Sequence, residues 1–262
     1  MRRLDITRLP ADYWYLTQLD PSGWAWEFLR RNPDYHADTA KLSMQPGAAH
    51  FPDGPARHWG CKVLEDPNRR GDEVVLFWQA ELLTDLVRLT LAPANANSQL
   101  RFEPRRWAGQ QATLTTNEGL HLILRVCHNT QCRLLLPGPD PPPDGSLLAI
   151  VIEPNRFWHS RLAAAERFLA LTAHPPPPFR SPRLPLISSE EIAHRTYVLW
   201  AIDLEQAGAS EHRIGALLFG TRVSSAVWSN HADRSELRRL LRAGRSFVSG
   251  GYRELLHVRP PR

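Results

Sequence analysis

The sequence predicts an α+β protein: an N-terminal helical segment and a small, mostly antiparallel β domain, then a Pro-rich linker and an all-helical C-terminal domain. Three observations predict it. Residues 10–45 are aromatic and punctuated by Asp-Pro and Asn-Pro, and residues 58–153 break into short β-branched and aromatic runs. Beyond the linker the apolar residues recur at helical spacing. A chain of 262 residues has room for two domains with real cores.

Taken in order, Asp20-Pro21 and Asn32-Pro33 each read as an N-cap followed by proline at the first helical position. Helices are expected at about 11–19, 22–31 and 33–42. Tyr13, Trp14, Tyr15, Trp24, Trp26, Phe28 and Tyr35 are too many rings for so short a segment to bury among themselves. They need a partner surface, either the chain's own sheet domain or another subunit, and a contribution to a subunit interface is the favoured expectation. Strands are expected at 73–78, 87–92, 99–103, 112–116, 120–127, 131–137 and 147–153, with a hairpin turn at Asn129-Thr130. "PGPDPPPDG" (137–145) is a loop, because proline can be neither inner strand nor mid-helix. Helical spacing returns over 157–173, and six prolines then make 174–185 a stiff spacer. The domains so drawn are 1–56, 57–173 and 186–262, with the linker at 174–185.

The C-terminal helices carry their own signals. Ser188 and Glu191 form a capping box that opens a helix over 188–208, closed by Gly208. Ser210 caps a second helix, 211–220, and a turn region with a short helix near 223–228 follows. An arginine helix begins near Asp233, and 249–256 completes the domain. At 100° per residue, Leu237, Leu240, Leu241, Gly244, Phe247 and Val248 share one stripe. Arg234, Arg238, Arg242 and Arg245 share another, with Arg239 at its edge. Acids placed at i,i+4 normally stabilise such a helix, yet within it only Glu236 is available.

Charge is uneven along the chain. The net charge is +5, but from Arg222 to Arg262 nine arginines face only Asp233, Glu236 and Glu254. A basic excess confined to one end is the electrostatic footprint of a polyanion contact. Lysine occurs only at positions 41 and 62, a bias of GC-rich coding that explains arginine over lysine but not the clustering.

Catalytic and metal signatures are sparse. Cys127, His128 and Cys132, with His121 nearby, have zinc-binding side chains, but C-x4-C on a hairpin lacks knuckle spacing, and alternate strand residues face opposite sides. No Gly-rich phosphate loop, G-x-S-x-G or H-E-x-x-H is present. Neither a metal, a cofactor nor an enzymatic activity is expected. Three cysteines are too few for a disulfide framework, and no apolar run approaches the ~20 residues that span a bilayer. With no secretory signal in "MRRLDITRLPADYW", the expected location is cytoplasmic, at the nucleoid.

"GASEHRIGALLFG", Trp228, "RRLLRAGRSFVSGGYRELL", "DYWYLTQLDPSGWAWEFLRRNPDY" and "HWGCKVLEDP" together resemble proteobacterial transcription regulators. These pair a transcriptional regulator-like N-terminal domain with the C-terminal DNA-binding domain of RovC-type activators of type VI secretion genes. The likeness covers both ends of the chain and the middle loosely, and "GGYRELL" is its most specific part. It implies sequence-specific binding of double-stranded DNA by a helix-turn-helix-like C-terminus, as a homo-oligomer, in a transcription factor that activates. Contact with RNA polymerase and no membrane partner complete the expectation. The 221–233 turn is longer than in a minimal helix-turn-helix. Read with the arginine stripe, the expected DNA contacts are Arg234, Arg238, Arg242 and Arg245, with Arg222 and Arg239 as flanking phosphate contacts. The alternative is a protein-interaction regulator, an anti-activator, that keeps the fold without binding DNA.

Overall fold

The computed structural model describes residues 9–43, 54–93, 95–107, 109–127, 130–138, 140–172, 187–221 and 223–257. The Pro-rich linker, Asn129 of the expected hairpin turn and Arg222 lie outside these. Both N-terminal caps form as expected. Asp20 accepts a hydrogen bond from the Gly23 amide at 2.8 Å to open α1 (Pro21–Leu29). Asn32 accepts from the Asp34 and Tyr35 amides at 2.8 and 3.2 Å to open α2 (Pro33–Ser43). Proline follows each cap because the first helical N–H has no partner to lose. Residues Ala11–Gln18 form a 3-10 rather than an α-helix, and the single turn α3 spans Pro55–His58.

The middle of the chain forms one five-stranded sheet. β1 (Leu86–Leu91), β2 (Gln110–Thr116), β3 (Gly119–Cys127), β4 (Thr130–Pro137) and β5 (Leu148–Val151) lie in the order β2-β3-β4-β1-β5. Only the β1–β4 pairing is parallel. Two expected strands do not form. Residues 73–78 and 99–103 each contribute only an isolated bridge, Cys61 with Trp78 and Arg101 with Leu147. The reason is visible at Val74, Leu76 and Trp78, which are buried in strict alternation while Glu73, Val75 and Phe77 are not. That alternation records a half-buried surface, which a chain crossing a helical core has as much as a paired strand does.

One sheet face, with Leu89, Leu122, Leu124, Cys132, Leu134 and Leu148, packs on Ala164, Phe168 and Leu171 of α4 (Trp158–Thr172). His121 lies on the face opposite Cys132, since Leu124 is the partner of Cys132 across the ladder. Buried His121 has its Nε2 3.2 Å from the Thr116 hydroxyl. Desolvation, helped by Lys62, pushes its pKa down from 6.5 to about 4. The unfolded chain therefore binds a proton in this window that the folded chain refuses, so stability falls as the pH drops from about 6.5 to 4. The expected contribution is about 3 kcal/mol. His121→Gln should flatten the acid limb of a urea-denaturation pH profile, and an unaltered limb would reject this assignment.

The remaining helices are α5 (Ser189–Gln206), α6 (Glu211–Phe219), the single turn α7 (Ser225–Trp228) and α8 (Ala232–Val248), followed by a 3-10 helix, Gly251–Leu256. They share one hydrophobic core with the N-terminal segment. Phe28 of α1 stacks obliquely on Phe247 of α8 at 4.7 Å, and the Asn32 amide donates to the Val248 carbonyl at 2.9 Å. Tyr252 donates to the Trp59 carbonyl at 2.8 Å. Trp24, Trp26, Phe28 and Tyr35 are wholly buried, Trp26 against Tyr35 and Tyr35 against Trp59. The partner surface that the aromatic segment needs is thus supplied by the same chain, and of its rings Trp14, 62% exposed, is the one left facing out.

Buried charge ties the same elements together. The Glu27 carboxylate, fully inaccessible, accepts from the Gly71 amide, Arg30 Nε and an Arg31 Nη, each at 2.7 Å. Arg31 reaches on to Asp203 of α5 with Nε at 2.5 Å and a second nitrogen at 2.8 Å, and Tyr13 donates to the same carboxylate. Burial alone would raise the Glu27 pKa, but Arg31 and Arg30 outweigh it and hold the group below its ordinary range.

Candidate nucleic-acid interface

α8 is built as the sequence implies. Leu237, Leu240, Leu241 and Gly244 are buried, and Phe247 and Val248 are half-buried against the core. Gly244 is a packing requirement: a Cβ there would sit 2.3 Å from Ile202 of α5. With its back face so held, the helix turns its arginines outward. Arg238, Arg239, Arg242 and Arg245 are exposed, and Arg234 is half-exposed. His231 caps the helix, its Nδ1 accepting from the Asp233 amide at 3.2 Å.

The helix in front of it is fixed by close contact. Ser210 accepts from the Arg213 amide at 3.3 Å to open α6, and Gly220, with φ 68°, ends it in the left-handed conformation that favours glycine. Residues 220–231, including α7, separate α6 from α8. Trp228 closes this segment: its ring lies over Gly215 of α6, where a Cβ would come within 2.1 Å. The same ring stacks on His231 at 5.9 Å, and the Thr221 hydroxyl donates to the Asp233 carboxylate. α6, α7 and the start of α8 are thereby locked as one unit.

The arginines are not bare. Glu211, the first residue of α6, lies 3.4 Å from Arg234 and 3.2 Å from Arg238. Glu205, in the last turn of α5, forms a forked pair with Arg245, one arm at 3.0 Å. That hydrogen-bonded pairing raises the Arg245 pKa further above its ordinary value. Glu236 pairs with Arg239 at 3.0 Å within the helix. Arg234 also donates to the Ser229 carbonyl at 2.8 Å. Of the five, Arg242 alone makes no ion pair among the described residues. The scarcity of acids inside α8 is therefore made up by neighbouring helices, which the spacing within one helix cannot reveal.

Among the described residues no three His, Cys, Asp or Glu side chains are placed to hold a metal ion, and no helix is long and apolar enough to cross a membrane.

Comparison with protein families agrees with the resemblance read from the sequence, in the same order along the chain. Residues 7–62 match the proteobacterial transcriptional regulator-like domain. Residues 151–257 match the RovC-type domain described as the DNA-binding domain of a type VI secretion transcription factor. That second match begins in β5 and takes in α4 as well as α5–α8. No curated protein sequence matches the chain. These are families of transcription regulation and DNA binding, which are not enzymatic functions.

Proposed function

Because the chain joins a transcriptional regulator-like domain to a transcription-factor DNA-binding domain, we propose that it is a sequence-specific regulator of transcription that binds double-stranded DNA. The observation that carries the proposal is the outward arginine face of α8, which falls inside the DNA-binding match. In this reading α6, α7 and α8 act as a helix-turn-helix-like unit. Arg234, Arg238, Arg242 and Arg245 meet the duplex, while Arg239 and Arg222 contact flanking phosphates. The protein acts as an activator in the bacterial cytoplasm, at the nucleoid, and touches RNA polymerase at its promoters. It works as a homo-oligomer, because one small module rarely supplies enough contacts for specific binding, and a symmetric partner brings a second half-site. The buried aromatic rings leave that interface to other surfaces.

Recovery of genomic fragments on the purified protein at graded salt tests the proposal. Fragments sharing one sequence should be enriched, with log K falling against log salt at a slope of roughly −4 for each subunit engaged, the value for four to five neutralised phosphates. Unselective recovery would remove sequence specificity. Absence of salt-dependent binding would favour the protein-interaction reading instead.

A further inference from the structure

We infer that Glu205 and Glu211 are specificity-determining residues, which occupy the α8 arginines in ion pairs that only a correctly seated duplex displaces. The inference rests on the proposed DNA-binding role of α8. Both acids come from outside the helix they pair with, 40 residues before Arg245 in one case and 27 before Arg238 in the other. Neither is a packing residue, for their side chains remain 29% and 38% exposed. Glu205 is also misplaced for its own helix: an acid in the last turn of α5 faces the negative end of the helix dipole, and that turn holds no basic residue. Its partner on α8, Arg245, is what gives the position a use.

The Glu205 carboxylate binds Arg245 as a fork, the bidentate geometry a phosphate or a guanine edge would offer, while Glu211 takes the Nε of both Arg234 and Arg238. Each pair thus holds an arginine at the face where DNA would be met, while offsetting its charge toward a duplex approaching within the Debye length of roughly 8 Å. A non-specific complex stays hydrated and loosely fitted, and gains too little to exchange the carboxylate for a phosphate. A matched site desolvates the arginines and makes the exchange. Arg242, which makes no ion pair among the described residues, remains to steer the first encounter.

The double variant Glu205→Gln with Glu211→Gln keeps side-chain size and removes all three ion pairs. Its affinity for a short duplex of random sequence should rise roughly tenfold, within the range expected of three exposed pairs. The salt slope should steepen by about 1 to 2. The control is Glu81→Gln with Glu166→Gln, exposed acids away from α8 that change the net charge equally. It should move affinity by less than about twofold, since charges beyond a Debye length are screened. Equal gains in both variants would assign the effect to net charge, and an unchanged or weaker Glu205/Glu211 variant would remove the acids from any role in discrimination. Either result overturns the inference while leaving DNA binding by the parent protein in place. Failure of all three proteins to bind DNA would instead remove the functional reading, and the inference with it.

Discussion

Arg238→Ala combined with Arg242→Ala should weaken DNA binding at least about tenfold while leaving the far-ultraviolet circular dichroism unchanged. Both side chains stand on the outer stripe of α8. Arg238 is 51% exposed and gives up only its pair with Glu211, which keeps Arg234. Arg242 gives up no ion pair among the described residues. An exposed pair contributes about 0–1 kcal/mol, so stability should move little. Affinity should move much more, because two charge-assisted contacts to the duplex are lost and the salt slope should shrink by about 2. Fluorescence anisotropy across a salt series reads both quantities. An affinity equal to that of the parent protein would exclude α8 from the interface.

Glu27→Leu should cost about 3–5 kcal/mol of folding stability, the largest effect expected of any single change away from the arginine face. The leucine fits the volume but leaves the Gly71 amide without its acceptor and Arg30 and Arg31 without their shared carboxylate. Arg31 then keeps only Asp203 and the Glu27 carbonyl. Because α1 lies against α8 through Phe28 and Phe247, the loss should reach the DNA-binding face and not stop at the N-terminal segment. Urea denaturation followed by tryptophan fluorescence measures it. The charge also has a pH signature: a carboxylate held below its ordinary range stabilises the fold above the unfolded-state value. That stabilisation is lost as the pH falls through the folded-state value. A Glu27→Leu protein as stable as its parent would mean that the buried network is incidental.

How far the sequence speaks for this protein depends on the range of the interaction. Local rules were sufficient for the caps at Asp20, Asn32, Ser188 and Ser210, which involve residues two or three positions away. They were sufficient also for α8, whose apolar and arginine stripes follow from helical period alone. Residues 73–78 mark the limit of such rules. Their alternation encodes which side chains are buried, not whether a neighbouring strand exists to pair with, and here the burying surface is helical. The aromatic segment fails in the same way: its need for a partner is legible, but the identity of that partner is not, for it is assembled from residues 59–69, α5, α8 and the 251–256 helix, up to about 220 residues later. For the candidate site, spacing placed the arginines and missed Glu205 and Glu211. Each is a single acid on another helix, with no periodic signal linking it to α8. Gly215 and Gly244 are read only afterwards, once Trp228 and Ile202 are seen where a Cβ would be.

The claim that the outer face of α8 meets DNA is tested most directly by site-specific photo-crosslinking. A photoreactive amino acid at Ser235, exposed beside Arg234 and Arg238, should capture a duplex recovered from the genomic selection, and the yield should fall as salt is raised. The same group at Leu162, exposed on α4 within the same matched domain, should capture little. Efficient crosslinking from Leu162 with none from Ser235 would place the DNA on the α4 face and contradict the account.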